Sequence, residues 1–376
     1  MIRSLLICDD VPNTSYGTGQ RIIAHRRALS KLGECRLLHL TNGPRPTQLS
    51  QLDFIAHLPF DYRSSKLAWV IRNITLAECR PDRSYVDVLE NIHKAFSYDI
   101  AFCSFFRNSC VAPTYLVPCL LDVDAVSPST GALTRLLWPL TRRAMQQRAK
   151  AFKAIYVIRQ SDKLIFGATM SRDIKVLPGI SVTARPGTNS FCRNKRVLLV
   201  GSPQWKPNRD AIDWLLSLRV PVLLNKMGYE LRLVGAGTDS VTEEPGLSCG
   251  GFVDDLSAEY RKAVLVLCPI FSGGGANIKL AEAVQFGCPV LASIHAAAGF
   301  DGILVPEDHI EVFSSRSMFI EKLTSLLQRP DRLEQLRERA IQISQTFLNQ
   351  DYCNLIIAED IRRILGSKAM GQASSP

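Results

Sequence analysis

Three consecutive glycines, Gly273, Gly274 and Gly275, stand in the stretch CPIFSGGGANIKLAEAVQFG between an apolar run and a helical pattern. The apolar run, residues 264–270, is predicted to be a strand, and a helix is predicted to begin at about Asn277. Glycines lack the Cβ atoms that keep a bulky anion away from the backbone. A helix start offers unpaired N–H groups and a partial positive charge, so this turn favours a phosphate or diphosphate.

Two charged residues follow the glycines on the predicted helix. Lys279 lies in its first turn, where an ammonium group would add positive charge beside a phosphate. Glu282 lies three residues later on the same face, and its carboxylate can accept hydrogen bonds from two neighbouring hydroxyls of a ribose. This order fits one end of a nucleotide sugar. Two plainer interpretations also fit: a glycine turn that serves close packing, and a solvated pair of charges.

Other nucleotide-binding signatures are not matched. No GKS or GKT follows the glycines, as a Walker A motif requires, and LVGAGTDS lacks the third glycine of a dinucleotide fingerprint. In the N-terminal half, Gly17 and Gly19 head a helix and could approach a phosphate or an acceptor, although a simple turn also explains them. His25 could act as an acid or base, but a lone histidine on a basic helix is more often solvated.

These candidates need elements that bring strand ends together, and both halves of the chain supply them. The first half begins with the strand-like IRSLLICDD, a loop, a helical pattern ending at Gly33 and the strand CRLLHL. The second half begins with the strand RVLLVG and repeats the order. Strand-first units form parallel, doubly wound sheets that bind ligands at the carboxyl ends of their strands. We expect an α/β protein with two Rossmann-like domains facing across a cleft.

Composition and charge limit the class of protein. The chain has 376 residues, and none of its apolar runs approaches the roughly 20 residues that span a bilayer. Acids appear by Asp9, unlike in a signal peptide. Eleven cysteines without CxxC or zinc spacing indicate reduced thiols in a cytoplasmic protein. Residues 1–190 hold 25 Lys and Arg against 14 Asp and Glu, a net +11, whereas the remainder carries −1. The basic half attracts an anionic partner: nucleic acid, a membrane surface or a phosphorylated substrate.

Several motifs occur in one order in the second half: VLLVGSPQWKPNRDAIDWLL, LRLVGAG, GFVDDLSAEYRKAVLVLCPIFSGGGANIKLAEAVQFGCPVLAS and AAAGFDG. Together they resemble the donor domain of family 4 retaining glycosyltransferases of the GT-B fold. The resemblance covers roughly residues 196–305, while the first half matches only in outline, through YGTGQR and LPGI. It implies an enzyme that moves a sugar from a nucleotide-diphosphate donor to a hydroxyl acceptor in polysaccharide, glycolipid or other glycoconjugate synthesis.

The resemblance implies roles for single residues. The glycine turn, Lys279 and Glu282 would hold the diphosphate and ribose, and backbone near Gly251 would contact the base. Lys206 loosely matches a basic residue that touches the phosphates, so Lys279 and Lys206 are the catalytic candidates. Beside it, Trp205 and Asn208 are also explained by packing and capping. The donor-binding set is Gly201, Gly251, Phe252, Val253, Gly273, Gly274, Gly275, Asn277, Lys279 and Glu282.

One position departs from many family members, which carry two glutamates eight residues apart. Eight residues before Glu282 stands Gly274, so the first glutamate, which commonly contacts the transferred sugar, is missing. A subset of the family shares this GGG form, so the change is compatible with catalysis. It also motivates an alternative from another class: a protein that binds a nucleotide or glycan on a GT-B scaffold without turnover.

The family mechanism implies neither a metal nor a cofactor. Front-face attack with retention lets the leaving phosphate accept the acceptor's proton, while a lysine and helix-end N–H groups stabilise the developing charge. Asp122 and Asp124 form a DxD pair resembling one that binds metal in a different transferase fold. Here the pair ends a strand of a GT-B-like chain, and we expect no metal site.

Domain boundaries follow from a polar stretch and from the family outline. Residues 181–195 contain Pro186 and Gly187 among polar residues, as an interdomain linker does. We expect an acceptor domain at 1–185, a donor domain at 186–345, and a helix crossing back to the first domain with a frayed tail at 346–376.

A basic, apolar segment at residues 132–153 points to a membrane surface as partner. It contains six cations and no acid, with leucines and a tryptophan beside them. Such a segment can attach to anionic lipid, and the acceptor would then be lipid-linked. A solvated helix that packs its leucines inward is the alternative. We expect a nucleotide-sugar donor, a glycan or lipid-linked acceptor, no nucleic acid, and a cytoplasmic protein at the cytoplasmic face of a membrane.

Overall fold

The computed structural model of the protein describes residues 1–14, 17–56, 83–123, 136–167, 174–182, 195–273 and 276–372. The chain divides into two compact units. The first unit comprises Met1–Pro178 and Gln350–Pro376, and the second comprises Gly179–Asn349. The boundaries expected from the sequence, after residues 185 and 345, differ from these by a few residues.

The first unit contains one parallel sheet with helices between its strands. Its described strands pair in the order β3-β2-β1-β4-β5-β6-β7. The strands are β1 (Ile2–Cys8), β2 (Gly33–Leu40), β3 (Phe54–Ala56), β4 (Ile100–Ser104), β5 (Cys119–Val123), β6 (Ala154–Val157) and β7 (Ile174–Val176). The helices are α1 (Gly17–Ser30), α2 (Arg83–Ala95), α3 (Trp138–Ala149) and α4 (Gln160–Gly167), with a 3-10 helix at Phe106–Val111.

The second unit repeats this design on a smaller sheet. Its described strands pair in the order β10-β9-β8-β11-β12-β13. The strands are β8 (Arg196–Val200), β9 (Glu230–Val234), β10 (Leu247–Cys249), β11 (Ala263–Cys268), β12 (Val290–Ser293) and β13 (Glu311–Phe313). The helices are α5 (Lys206–Ser217), α6 (Val220–Lys226), α7 (Ser257–Lys262), α8 (Ile278–Gln285), α9 (Ile294–Ala297), α10 (Arg316–Gln328) and α11 (Pro330–Thr346).

The central strands are buried on both faces, which is why they read as continuous apolar runs. All five residues of β4 and all six residues of β11 are buried. Registered pairs such as Leu6 with Phe102 and Val266 with Val290 place apolar side chains in one row across each sheet. Two parallel, doubly wound sheets confirm the expected α/β architecture.

The last helix, α12 (Gln350–Gln372), belongs to the first unit although it follows the second in the sequence. Gln350 donates from Nε2 to the carbonyl of Ala24 in α1 over 2.9 Å. Asp360, 1% exposed, accepts from the Tyr156 hydroxyl over 3.0 Å and lies 3.1 Å from Lys175 Nζ. Through these two contacts the buried carboxylate fastens the helix to β6 and β7. The helix extends to Gln372, so the end expected to fray from Gly366 is helical over most of its length.

None of the helices in the described part of the chain combines the length and apolar character needed to cross a bilayer. The nine cysteines within the described residues are all free thiols. Burial raises the pKa of several of them, for example that of Cys268 to about 12, so these thiols are protonated packing groups.

Candidate functional site

The glycine turn lies at the topological switch point of the second sheet. The winding of the chain reverses between β8 and β11, and ligands of such sheets bind outside the carboxyl ends of the two strands. β8 ends at Val200, directly before Gly201, and β11 ends at Cys268, shortly before Gly273. Two motifs far apart in the sequence are therefore carried to one edge of the sheet.

Three backbone segments approach one another beside β8. The N–H of Gly201 donates to the carbonyl of Val234 over 2.8 Å, and the N–H of Gly235 donates to the carbonyl of Gly251 over 2.8 Å. Gly235 has φ of +147°, and a Cβ there would lie 2.6 Å from the carbonyl carbon of Gly201. Only glycine fits this approach. Gly235, for which the sequence indicated no role in the site, therefore lies between the predicted residues Gly201 and Gly251 and contacts both.

The predicted base-binding segment begins at Gly251, whose N–H donates to Thr238 Oγ1 over 3.0 Å. Phe252, the next residue, is 63% exposed, and Val253 is partly buried. Most of the Phe252 side chain is therefore accessible to a ligand.

The described end of the glycine turn is Gly273, and Gly274 and Gly275 lie outside the described residues. Gly273 has φ of +109°, a backbone conformation that residues other than glycine rarely adopt. A Cβ on it would stand 3.4 Å from the ring of Trp205, which is 51% exposed. Asn208 Nδ2 donates to the carbonyl of Ser202 over 3.0 Å. Asn208 therefore braces its loop, while the ring of Trp205 lies beside the turn.

Helix α8 begins immediately after the turn. Asn277 is its N-cap, and the side-chain oxygen accepts from the backbone N–H of Lys279 over 3.1 Å. The first turn contains no acid, so nothing charged within it opposes the partial positive charge of the helix start. The helix start therefore offers an anion its partial positive charge. The Lys279 ammonium group contacts Glu282 farther along the helix.

Lys279 and Glu282 form an ion pair with unequal exposure. The Nζ of Lys279 lies 3.2 Å from Oε2 of Glu282, and the side chains are 23% and 3% exposed. The carboxylate also accepts from the Ser181 hydroxyl over 2.8 Å and from the Tyr260 hydroxyl over 2.9 Å. The solvated-pair interpretation is therefore wrong for Glu282, which is a buried, multiply bonded group. Sequence spacing did not reveal Ser181 or Tyr260, because neither lies within one helical turn of Glu282.

Lys206 is placed at the start of α5 and points to solvent. Its side chain is 79% exposed, and Nζ lies 2.5 Å from Oδ2 of Asp210 one turn later. This is a surface i, i+4 pair, which typically contributes less than about 1 kcal/mol. Lys206 is therefore an exposed group, and its assignment to phosphate binding stays a prediction.

In the first unit, α1 begins at Gly17. Gly19 is buried, and a Cβ there would lie 2.5 Å from the carbonyl oxygen of Asn13. Close packing of α1 on the preceding loop thus requires a glycine. The neighbouring Thr18 hydroxyl donates to Asp10 Oδ2 over 2.5 Å. The simple-turn interpretation explains Gly19, and the contact with a donor or acceptor stays a prediction.

His25 and Asp122 form a buried polar cluster with Arg21. Arg21 donates to both oxygens of Asp122, from Nε over 2.7 Å and from Nη2. It also donates to the carbonyls of Leu177 and Pro178 over 3.0 and 3.2 Å. Two features of the sequence could have predicted this cluster. Arg21 and His25 lie one helical turn apart, and Asp122 is an acid inside an apolar strand.

The solvated interpretation of His25 is wrong, because the side chain is 1% exposed. Its Nδ1 lies 2.8 Å from the Ser104 hydroxyl and its Nε2 lies 3.5 Å from Asp122 Oδ2. Burial lowers the pKa of His25 to about 4, against the opposing effect of Asp122. Both carboxylate oxygens of Asp122 accept hydrogen bonds from Arg21, and Asp124 lies outside the described residues. Across the described residues no group of three or more His, Cys, Asp or Glu could hold a metal ion.

Comparison with protein families places this site in a known context. The family model described as Glycosyl transferases group 1 matches residues 194–329. That range contains β8, the glycine turn and α8, and it agrees with the resemblance found through the sequence motifs. Curated protein sequences yield no significant match.

Solved structures of glycosyltransferases share the fold of the whole chain. Sucrose-phosphate synthase from Thermosynechococcus elongatus superposes with a TM-score of 0.67 at 13% identity, covering 98% of this chain and 100% of that one. HepE from Anabaena, in complex with UDP, gives 0.67 at 14% identity over 96% and 100%. WaaG, a glycosyltransferase of lipopolysaccharide biosynthesis, gives 0.60 at 17% identity over 97% and 100%. The chain has the GT-B fold, and the family match supports glycosyl transfer as its class of reaction.

Proposed function

We propose that the protein is a retaining glycosyltransferase that moves a sugar from a nucleoside-diphosphate sugar to a hydroxyl group of a glycan or lipid-linked acceptor. One observation carries the proposal: Gly201, Gly273 and the start of α8 share the switch point of the second sheet. The same residues lie within the range that matches the glycosyl transferase model. Ligands of parallel sheets bind at this position.

The donor diphosphate would lie against the glycine turn and the start of α8. Backbone N–H groups and the ammonium of Lys279 supply positive charge there, and the charge is fixed before the donor arrives. Bond breaking at the anomeric carbon moves negative charge onto the diphosphate. A contact that strengthens as this charge develops lowers the barrier, whereas a contact of constant strength only improves donor binding.

The attack would come from the same face as the leaving group. The acceptor hydroxyl loses its proton to the departing phosphate oxygen, and its own oxygen bonds to the anomeric carbon with retained configuration. This route needs no protein base. His25 is a poor candidate for one, because it is buried in the first unit with its nitrogens beside Ser104 and Asp122. The route also needs no metal, since Lys279 and the helix start supply the positive charge.

Uracil is the first base to test. HepE, which shares the fold, has been solved with UDP and with UDP-glucose. At 14% identity this likeness selects a starting ligand and does not define the base. In this chain the base would lie near Gly251, where the exposed ring of Phe252 offers an apolar contact.

The missing first glutamate supports a second candidate, a nucleotide- or glycan-binding protein without turnover. Gly274 provides no side chain to hold the transferred sugar. Both candidates predict nucleotide binding, and only the enzyme predicts release of nucleoside diphosphate from a donor.

A donor panel separates the two candidates. The purified protein would be incubated with UDP-, GDP- and ADP-sugars, with and without hydroxyl acceptors, while released nucleoside diphosphate is measured. We expect release with one class of donor and a large loss of release in Lys279→Ala. Tight nucleotide binding with no release from any donor would establish the binding protein instead.

A further inference from the structure

The Glu282 carboxylate is held on both of its oxygens by neutral hydroxyl donors. Ser181 Oγ donates to Oε1 over 2.8 Å, and Tyr260 donates to Oε2 over 2.9 Å. Lys279 adds its ammonium at 3.2 Å from Oε2. Donors on opposite oxygens hold the plane of a carboxylate, so the orientation of Glu282 is set by groups of the protein itself.

Tyr260 is itself rigidly placed. It is 1% exposed on α7, and its ring stacks on Phe286 with centroids 4.9 Å apart and planes 16° apart. Burial, together with the neighbouring Glu282, raises the pKa of its hydroxyl far above the usual value. The hydroxyl therefore stays protonated at neutral pH and remains a donor.

Ser181 is placed by a second residue of the same helix face. Its backbone N–H donates to Gln285 Oε1 over 2.7 Å, and its carbonyl accepts from Gln285 Nε2 over 3.1 Å. Two residues earlier, a Cβ on Gly179 would lie 3.2 Å from that of Ala276, at the end of the glycine turn. The first residues of the second unit therefore run along α8 and present one hydroxyl to Glu282.

We propose that Tyr260 and Ser181 are positioning residues, which orient Glu282 to accept the ribose hydroxyls of the donor nucleotide. The inference rests on the proposed function, because it needs a nucleotide at α8. Only 3% of the Glu282 side chain is exposed, so little of the carboxylate is accessible to a ligand. The orientation of the carboxylate then decides whether ribose hydroxyls are bound. Since the two positioning residues are buried, they act through Glu282 and not on the nucleotide.

The test compares UDP with 2′-deoxyuridine diphosphate by titration calorimetry. The wild type should prefer UDP, because Glu282 accepts from the 2′-hydroxyl. Tyr260→Phe removes one oxygen and keeps the ring stacked on Phe286. It should weaken UDP binding by about tenfold, the scale of one lost hydrogen bond to a charged group. Affinity for the deoxy nucleotide should change much less, so the ratio of the UDP affinity to the deoxy nucleotide affinity should decrease.

Matched variants separate orientation from general packing. Ser181→Ala should narrow the preference as Tyr260→Phe does, and Ser181→Thr, which keeps a hydroxyl, should restore it. Phe286→Leu disturbs the packing of the Tyr260 ring while leaving its hydroxyl. It should lower the melting temperature and keep the preference for ribose. Thermal melts of each variant confirm that the compared proteins are folded.

Two results would overturn the inference. If Tyr260→Phe and Ser181→Ala retain the wild-type ratio of the two affinities, the hydroxyls serve packing alone, and the proposed function is untouched. If the wild type binds GDP or ADP instead of UDP, the same comparison is made with that nucleotide and its 2′-deoxy form. If it binds none of the three, the proposed function falls together with the inference. A folded Tyr260→Phe variant that binds both nucleotides more weakly by the same factor also leaves the ratio unchanged, and it overturns the inference in the same way.

Discussion

At the scale of single residues, Lys279 and Glu282 should serve different parts of one ligand. Lys279→Ala removes a charge-assisted contact of about 2–3 kcal/mol. If that contact strengthens as diphosphate leaves, turnover should fall by about 100-fold, with a smaller loss of donor affinity. Steady-state kinetics and titration with free nucleoside diphosphate measure the two effects. Lys226→Ala, at an exposed lysine that ends α6, is the matched control and should leave both unchanged.

Glu282→Gln should act mainly on affinity, because one acceptor oxygen becomes an amide nitrogen. A hydroxyl can turn and accept from that nitrogen, but the Lys279 ammonium has no acceptor lone pair. The amide oxygen should therefore face Lys279 and Tyr260. Nucleotide affinity should fall, and the free energy of unfolding should decrease slightly. Wild-type affinity in this variant, with unchanged turnover in Lys279→Ala, would remove both residues from the donor site.

His25 should make the stability of the protein depend on pH. Its pKa is about 4 in the folded protein and about 6.5 in an unfolded chain. The unfolded state therefore binds the proton more readily between these values. The contribution of neutral His25 to the free energy of unfolding is fully present above pH 6.5 and is lost as the pH falls toward 4. Between pH 7 and pH 5 this loss is of the order of 2 kcal/mol.

Urea unfolding of the wild type and of His25→Gln at pH 7 and pH 5 measures this contribution. The variant has no imidazole to protonate, so its loss of stability over this range should be smaller by about the amount attributed to His25. Equal losses in both proteins would show that other groups, such as the carboxylates, account for acid sensitivity.

At the scale of elements, the N-cap of α8 should link stability to anion binding. Asn277→Ala removes the side-chain acceptor for the Lys279 N–H and should lower the free energy of unfolding by about 1 kcal/mol. Asn277→Asp keeps an acceptor and should keep stability. Its negative charge would repel a phosphate at the helix start, so nucleoside diphosphate binding should weaken. Denaturant titration measures the stability of both variants, and calorimetry measures their nucleotide affinity, so the two effects can be told apart.

A different pattern would contradict this assignment. If Asn277→Asp binds the nucleotide as tightly as the wild type, the phosphates do not lie at the start of α8. The glycine turn would then serve packing against Trp205, and the donor would have to be held elsewhere.

At the scale of the whole molecule, the basic first half should bind an anionic membrane. On and around α3, Leu136 and Leu140 are 74% and 54% exposed, so the inward-packing alternative fails for these two leucines. Leu137 is partly buried and Trp138 packs against the core of the first unit, as that alternative expects. Arg142 and Arg143 are exposed beside them. Residues 132–135 of the segment lie outside the described residues. Each cation near an anionic surface adds about 1 kcal/mol, so replacing both arginines by alanine should weaken binding by about 30-fold.

Sedimentation with phosphatidylglycerol vesicles at low salt measures this binding, and phosphatidylcholine vesicles provide the neutral reference. Replacing Arg316 and Arg329, exposed arginines of the second unit, removes the same charge elsewhere and should have little effect. If the wild type fails to sediment with anionic vesicles, the membrane proposal is wrong.

Features that depend on neighbouring residues could be predicted from the sequence. Alternating apolar runs and helical patterns gave two parallel α/β units, since the burial of a central strand is written in its own side chains. The stretch from Cys268 to Gly287 gave a strand, a glycine turn and a helix, and the structure ends and begins these elements within a few residues of the expected positions. The order of the motifs identified the GT-B fold.

Features that depend on distant residues were decided only by the tertiary structure. Glu282 takes its hydroxyl partners from Ser181 and Tyr260, which lie 101 and 22 residues away. His25, expected in solvent, is buried because α1 packs its Arg21 and His25 against Asp122 of β5. The charge state, exposure and partners of a polar side chain are set by whatever covers it, and folding brings that cover from other parts of the chain. Local spacing therefore predicted which residues could bind a ligand, and packing decided how they are held.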